Sequence, residues 1–162
     1  MANDESDARR FLRHAVATLA YRAGKAVREA PEAFGELKIS DTSRTPCEVL
    51  GHISDLMEWA LSVARGSEAW RDSPTSGWSA EVTRFFGAIG RLDEYLASEA
   101  PLSCPVERLF QGPIADALTH VGQLALLRRV FGSAVRGENY FRADIEVGRV
   151  GPTQASPRRE FG

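Results

Sequence analysis

"TPCEVLGHISDLMEWALSVAR", residues 45 to 65, carries the strongest structural signal in the chain. Thr45 followed three residues later by Glu48 forms a capping box, in which hydroxyl and carboxylate each satisfy a free backbone N–H. Pro46 suits the first helical position, where no N–H donor is needed. Behind this start, Val49, His52, Leu56, Trp59 and Val63 recur every three or four residues, the spacing that gathers side chains on one helix face. Asp55, Glu58, Ser62 and Arg65 fall on the other side. The stretch reads as an amphipathic helix over Pro46 to Arg65, with His52 pointing inward among apolar neighbours.

Three more helices follow from the same periodicity on either side. Leu12, Val16, Leu19, Ala23 and Val27 predict a first helix from Ser6 to Ala30, stopped by Pro31, with His14 across from the apolar stripe. The linker "EAFGELKISDTSR" joins it to the second. "GSEAWRDSPTSG", rich in turn formers, reads as a loop, after which Val82, Phe85, Ile89, Leu92 and Leu96 predict a third helix over Ser79 to Ser98. "SCPVERLF" suggests one helical turn, Gly112-Pro113 a break, and Pro113 to Phe131 a fourth helix. The expected fold class is all-α: an up-down-type four-helix bundle, or a variant with one long crossover, over residues 1–136. Residues 137–162 carry Gly, Pro and Arg throughout and no helical period, and read as an extended tail. Tyr140, Phe141 and Ile145 would expose apolar area there, so the tail is expected to pack on the bundle or on a partner chain, a homodimer being one arrangement.

A chain of 162 residues with a formal net charge of -2 is one domain's worth of sequence without the basic excess that tracks a phosphate backbone. No nucleic-acid partner is expected. No apolar run approaches the roughly 18 residues of a membrane span, and "MANDESDARR" lacks the apolar core of a signal peptide, so a cytoplasmic protein is expected. Two cysteines, Cys47 and Cys104, are too few for a disulfide scaffold. Cys47 occupies the first turn of the second helix, where free N–H groups favour thiolate; it reads either as a reactive thiol or as a small buried apolar residue. Gly-rich phosphate loops, Ser-centred elbows and paired catalytic carboxylates are absent from the sequence.

"GPIADALTHVGQLALLRR", residues 112 to 129, holds the second candidate feature. Asp116 and His120 stand four apart and Gln123 three further on, so all three share one side of the fourth helix. Ile114, Ala117, Leu118, Val121, Leu124 and Ala125 form a stripe opposite them. By periodicity alone the trio is either a solvated face or half of a metal site with His52.

"VLGHISDLMEWAL" and "THVGQLALLRR", together with the number and order of helices over about residues 6 to 131, resemble the DinB-like superfamily of bacterial four-helix proteins. Its members carry a metal-ligand histidine in helix two and an H-x-x-x-H pair followed by R-G-Q in helix four. By that resemblance His52 matches the helix-two ligand, His120 the second histidine of the pair, and Gly122 and Gln123 the end of the motif. Asp116 stands in place of the first histidine and Val121 in place of the arginine. The resemblance implies a divalent metal held by His52, Asp116 and His120, with Gln123 orienting a ligand. Two histidines and a carboxylate suit zinc, nickel, iron or manganese. It further implies a small-molecule substrate and a transferase or isomerase reaction using a low-molecular-weight thiol, against the alternative of a non-catalytic helical binding or stress-response module.

Overall fold

The computed structural model describes residues 2–162, with side chains from Ser6 onward. The chain is mostly helical: α1 (Ala2–Val27), α2 (Pro46–Ala64), α3 (Trp78–Ala97), a short α4 (Val106–Leu109) and α5 (Ala115–Val130). α2 begins as its sequence dictates. Glu48 N donates to Thr45 Oγ1 at 3.2 Å and Thr45 N donates to Glu48 Oε2 at 2.7 Å, closing the capping box. α1 stops three residues earlier than the sequence suggests, as the chain turns through Glu29 at a φ of 57°. The break expected at Gly112-Pro113 is also absent. α4 continues through a π-helical turn, Phe110–Ile114, into α5, and the wider turn takes up the missing N–H and ring bulk of Pro113.

Side-chain contacts fix the direction of each helix. Arg13 pairs with Asp93, and Arg9 donates to the carbonyls of Ser98 and Ala100, so the start of α1 meets the end of α3. Arg128, near the end of α5, donates to the carbonyls of Ala26 and Arg28 at the end of α1. Along α2 and α3 the partners rise together: Gly51 and Asp55 with Arg84, Glu58 with Arg91, and Arg65 over the ring of Tyr95. Hence α1 and α5 run one way while α2 and α3 run the other.

A simple alternation of direction between sequence neighbours, the first expectation, therefore fails at α2 and α3. The cause is the segment 66–77, which runs back along α2 to its beginning before α3 starts. Three backbone N–H groups hold it there: Ala69 N donates to Ser62 Oγ at 3.0 Å, Ser73 N to Asp55 Oδ2 at 3.1 Å and Ser76 N to Glu81 Oε1 at 3.2 Å. Asp55 and Glu81 are buried, and Arg84 lies between them, bonded to both and to Glu58. A buried carboxylate needs such partners, and these ones convert an apparent surface loop into a strap.

The core lies between the four long helices, where Val16, Leu19, Leu50, Ile53, Met57, Phe85, Ile89 and Leu92 are all but inaccessible to water. Phe34, from the linker after α1, seals one end, with its ring edge-on to Trp78 at 4.9 Å and to Phe131 at 5.6 Å. No helix among the described residues is long and apolar enough to cross a membrane.

The tail folds onto α1. β1 (Gly137–Glu138) pairs antiparallel with β2 (Glu160–Phe161), a two-residue ladder that no sequence pattern announced. Glu138 enters the interior, accepting from Tyr21 Oη at 2.6 Å and from Lys25 Nζ at 2.8 Å; Lys25 Nζ also donates to Glu160 Oε1 at 2.7 Å. Val150 joins the core and Ile145 packs against it. Tyr140 lies under the guanidinium of Arg22 and edge-on to Tyr21. Phe141, expected to pack, is instead 94% exposed. It sits in a 3-10 turn, Tyr140–Arg142, which advances about 120° per residue, so placing Tyr140 inward turns Phe141 outward.

This docking gives the tail a pH dependence. Burial and the Glu138 carboxylate hold the Tyr21 hydroxyl far above its ordinary value of 10.0. Burial alone would lower Lys25, but its bonds to Glu138 and Glu160 outweigh that and raise it above 10.5. Both groups keep their protons more tightly folded than unfolded. Their contribution is whole below those ordinary values and is lost as pH climbs past them. Denaturation midpoints are expected to hold steady from neutral pH to about 10 and then fall, with Tyr21→Phe shallower than the parent chain. Parallel alkaline curves for the two proteins would refute the linkage.

Candidate metal centre

His52 lies on the second turn of α2, and Asp116 and His120 lie one turn apart at the start of α5. α4, the π-helical turn and α5 form one continuous helical run, so Asp116 and His120 lie midway along it, where it passes the second turn of α2 in the opposite direction. His52 Nε2 is 3.7 Å from Asp116 Oδ2, and His120 Nε2 is 3.5 Å from Asp116 Oδ1. The two imidazoles meet edge to face, with centroids 4.7 Å apart. Both imidazole side chains are mostly covered, at 18% and 14% exposed, while Asp116 is 48% exposed. The trio is thus neither a fully solvated face nor a buried core: two nitrogens sit below the surface and a carboxylate forms the rim.

One potential ligand atom from each of the three residues lies within 4.8 Å of the others. Ligands about 2.1 Å from a tetrahedral ion stand about 3.4 Å apart; the two imidazole nitrogens lie 3.7 and 3.5 Å from Asp116, one from each carboxylate oxygen. The donor set is chemically suitable as well. His120 Nδ1 donates to Gln123 Oε1 at 2.9 Å, which leaves Nε2 as the ring nitrogen facing Asp116. Burial, then the charge of Arg44 and then His120 hold His52 below the ordinary imidazole range, against the pull of Asp116. At neutral pH His52 therefore favours its neutral form, the form in which an imidazole ligates metal. His52, Asp116 and His120 can therefore hold a metal ion, with Gln123 fixing the tautomer of one ligand.

Two open recesses flank the imidazoles. One, of about 480 Å³, lies between α2 and the strap and is polar, with Asp55, Asp72, Ser73 and Thr75 in its wall beside His52. The other, of about 420 Å³, is largely apolar, with Ile39, Val49, Leu126 and Leu127 in its wall beside His120. Arg44 borders both. Trp70, carried by the strap, stands edge-on to His52 at 5.7 Å and to Trp59 at 6.0 Å. Neither Arg44 nor Trp70 was marked by periodicity or motif. Trp70 could have been suspected only as a large apolar residue in a loop, where burial against something is the usual reason for it.

Of the two readings of Cys47, a reactive thiol or a small buried residue, the structure matches the second. It is buried at 8% exposure, and burial pushes its thiol above the ordinary value, outweighing the hydrogen bonds from Thr75 and Gly77 that act in the other direction. The few N–H groups at a helix start cannot compensate for removing a thiolate from water. Burial raises Cys104 in the same direction. Alkylation near neutral pH is therefore expected to be slow at both cysteines and to speed up many-fold on unfolding. Rapid labelling of folded Cys47 would contradict this account. His14 is exposed on α1, away from the trio, as its position in the sequence suggests.

No protein-family model, curated protein or solved structure matches this chain. The geometry is therefore the basis for the functional reading.

Proposed function

We propose that this chain is a metal-dependent enzyme of the DinB-like kind, built on a helix bundle ordered up-down-down-up, with His52, Asp116 and His120 as the ligands of one divalent ion. The observation that carries the reading is the convergence of three donor atoms from two facing helices, one of them braced by Gln123. Three protein ligands would leave a tetrahedral ion at least one position for water or substrate, as in catalytic rather than purely structural sites. Zinc, nickel, iron and manganese all suit two imidazoles and a carboxylate. A bound ion of this kind supplies Lewis acidity and lowers the pKa of a coordinated water or thiol.

The chain's own residues do the rest. His52, edge-on to Trp70, and His120, largely covered by the helices, present imidazole nitrogens, while Asp116 at the rim contributes a carboxylate. The strap sets Trp70 against one edge of His52. A small-molecule substrate, with a low-molecular-weight thiol as co-substrate in a transfer or isomerisation reaction, fits this arrangement and the resemblance of the two helix motifs. Metal analysis of protein purified without added metal, followed by a thiol-dependent conjugation screen, tests the reading. A stoichiometric first-row ion and thiol consumption are expected. Protein that neither retains nor takes up zinc, nickel, iron or manganese would leave the trio as a structural cluster and the chain as a helical binding module.

A further inference from the structure

The recess beside His120 has an unusual composition for the edge of a polar cluster. Leu126 is 59% exposed and Ile39 52% exposed, and both line a depression together with buried Val49 and Leu127. Exposed leucines and isoleucines are ordinary singly, but a concave group of them beside His120 of the candidate metal centre is not. At the mouth of the same depression stands Arg44. Its guanidinium makes no hydrogen bond or ion pair with any described residue, although five donors are available there. A divalent ion held by one carboxylate retains positive charge, and Arg44 adds a second cation on the same side. No carboxylate lines this recess; Glu48, in the wall of the polar one, is close enough to feel the charge of Arg44 but makes no ion pair with it.

We infer that the substrate is an amphipathic anion: a small molecule whose single anionic group lies between the metal centre and Arg44 and whose apolar chain lies in the groove of Ile39, Val49, Leu126 and Leu127. The inference rests on the metal-centre reading and adds to it the substrate's charge and polarity. Charge complementarity selects the head, because an anion there meets two cations at once, whereas an amine would meet repulsion. The apolar wall selects the tail, because covering it removes exposed hydrocarbon from water. Arg44 is then a specificity-determining residue, placed by the capped start of α2 immediately after it.

The test uses the zinc-loaded full chain and three probes followed by titration calorimetry: octanoate, acetate and octylammonium. Octanoate is expected to bind at least about tenfold more tightly than either of the others. Arg44→Gln is expected to weaken octanoate about tenfold, and Leu126→Ser about fivefold, with zinc content unchanged in both. Leu126 and Arg44 are exposed, so neither change disturbs the core, and unchanged helical content by circular dichroism checks this. Zinc retention with octanoate no tighter than acetate, or with both variants binding like the parent, overturns the proposal and leaves the metal centre standing. Failure to hold zinc at all is a failure of the metal reading and is seen first, in the metal analysis. A dimer in sedimentation that Leu126→Ser converts to monomer would assign the groove to a second copy of the chain and also overturn the proposal.

Discussion

Replacing His120 or His52 by Ala is expected to abolish metal retention and, with it, the rise in melting temperature that metal produces in the parent chain. The size of that rise follows from linkage. An ion present at about a hundred times its dissociation constant stabilises the folded state by about 2.7 kcal/mol, or roughly 5 to 10 °C for a domain of this length. In the proposed site each histidine would supply one of three donor atoms, and its loss would leave a two-ligand site that cannot compete with buffer. His14→Ala, on the exposed side of α1, is expected to behave like the parent. Gln123→Ala provides a graded control. Without its oxygen, the His120 ring loses the partner that fixes its tautomer and orientation, and affinity is expected to fall about 10- to 100-fold without disappearing. Equal metal content in the two histidine variants and the parent, by elemental analysis after gel filtration, would exclude the site.

Glu138→Ala is expected to be the most destabilising single change in the tail, at about 3 to 5 kcal/mol. Its side chain is 0% exposed and bonded to Tyr21 and Lys25, and Lys25 is 9% exposed. Removing the carboxylate leaves a buried ammonium with only the rim residue Glu160 to pair it, and a tyrosine hydroxyl without its acceptor. Buried pairs are mainly costly to break rather than valuable to own. The double variant Lys25→Met with Glu138→Leu should therefore recover much of the loss. Chemical denaturation of the single and double variants measures both. Loss below about 1 kcal/mol in Glu138→Ala would mean that the tail is held by its apolar contacts alone, through Val150 and Ile145.

These two experiments probe regions that differ in how far they can be read from sequence. His52 was visible because α2 carries every local signal at once: a capping box, a proline at its first position and a clean apolar period. On α5 the pattern was ambiguous, since the main apolar stripe lies opposite the trio while Leu126, Leu127 and Val130 flank the trio's own side. Only the antiparallel packing of α5 against α2 shows that Leu126 and Val130 are exposed while Asp116 and His120 meet His52. The buried Glu138 was invisible, because a glutamate in a Gly- and Arg-rich stretch carries no periodic signal. What buries it is Lys25 and Tyr21, more than a hundred residues away.

Local chemistry thus determined the helices. Caps, prolines and a 3.6-residue apolar period act within a few residues, and the four long helices lie within a few residues of where these signals put them. The tertiary structure decided everything that depends on contacts between distant residues. It set α2 and α3 parallel, because Asp55 and Glu81 hold the backbone of the strap along α2. It silenced Cys47, because burial outweighs the helix-start N–H groups. It brought Trp70 and Arg44 to the imidazoles from segments that have no period to read. Spacing along a helix specifies which side chains share a face. What that face meets is settled by packing and by the pairing of buried charge, neither of which is written in any short stretch of the chain.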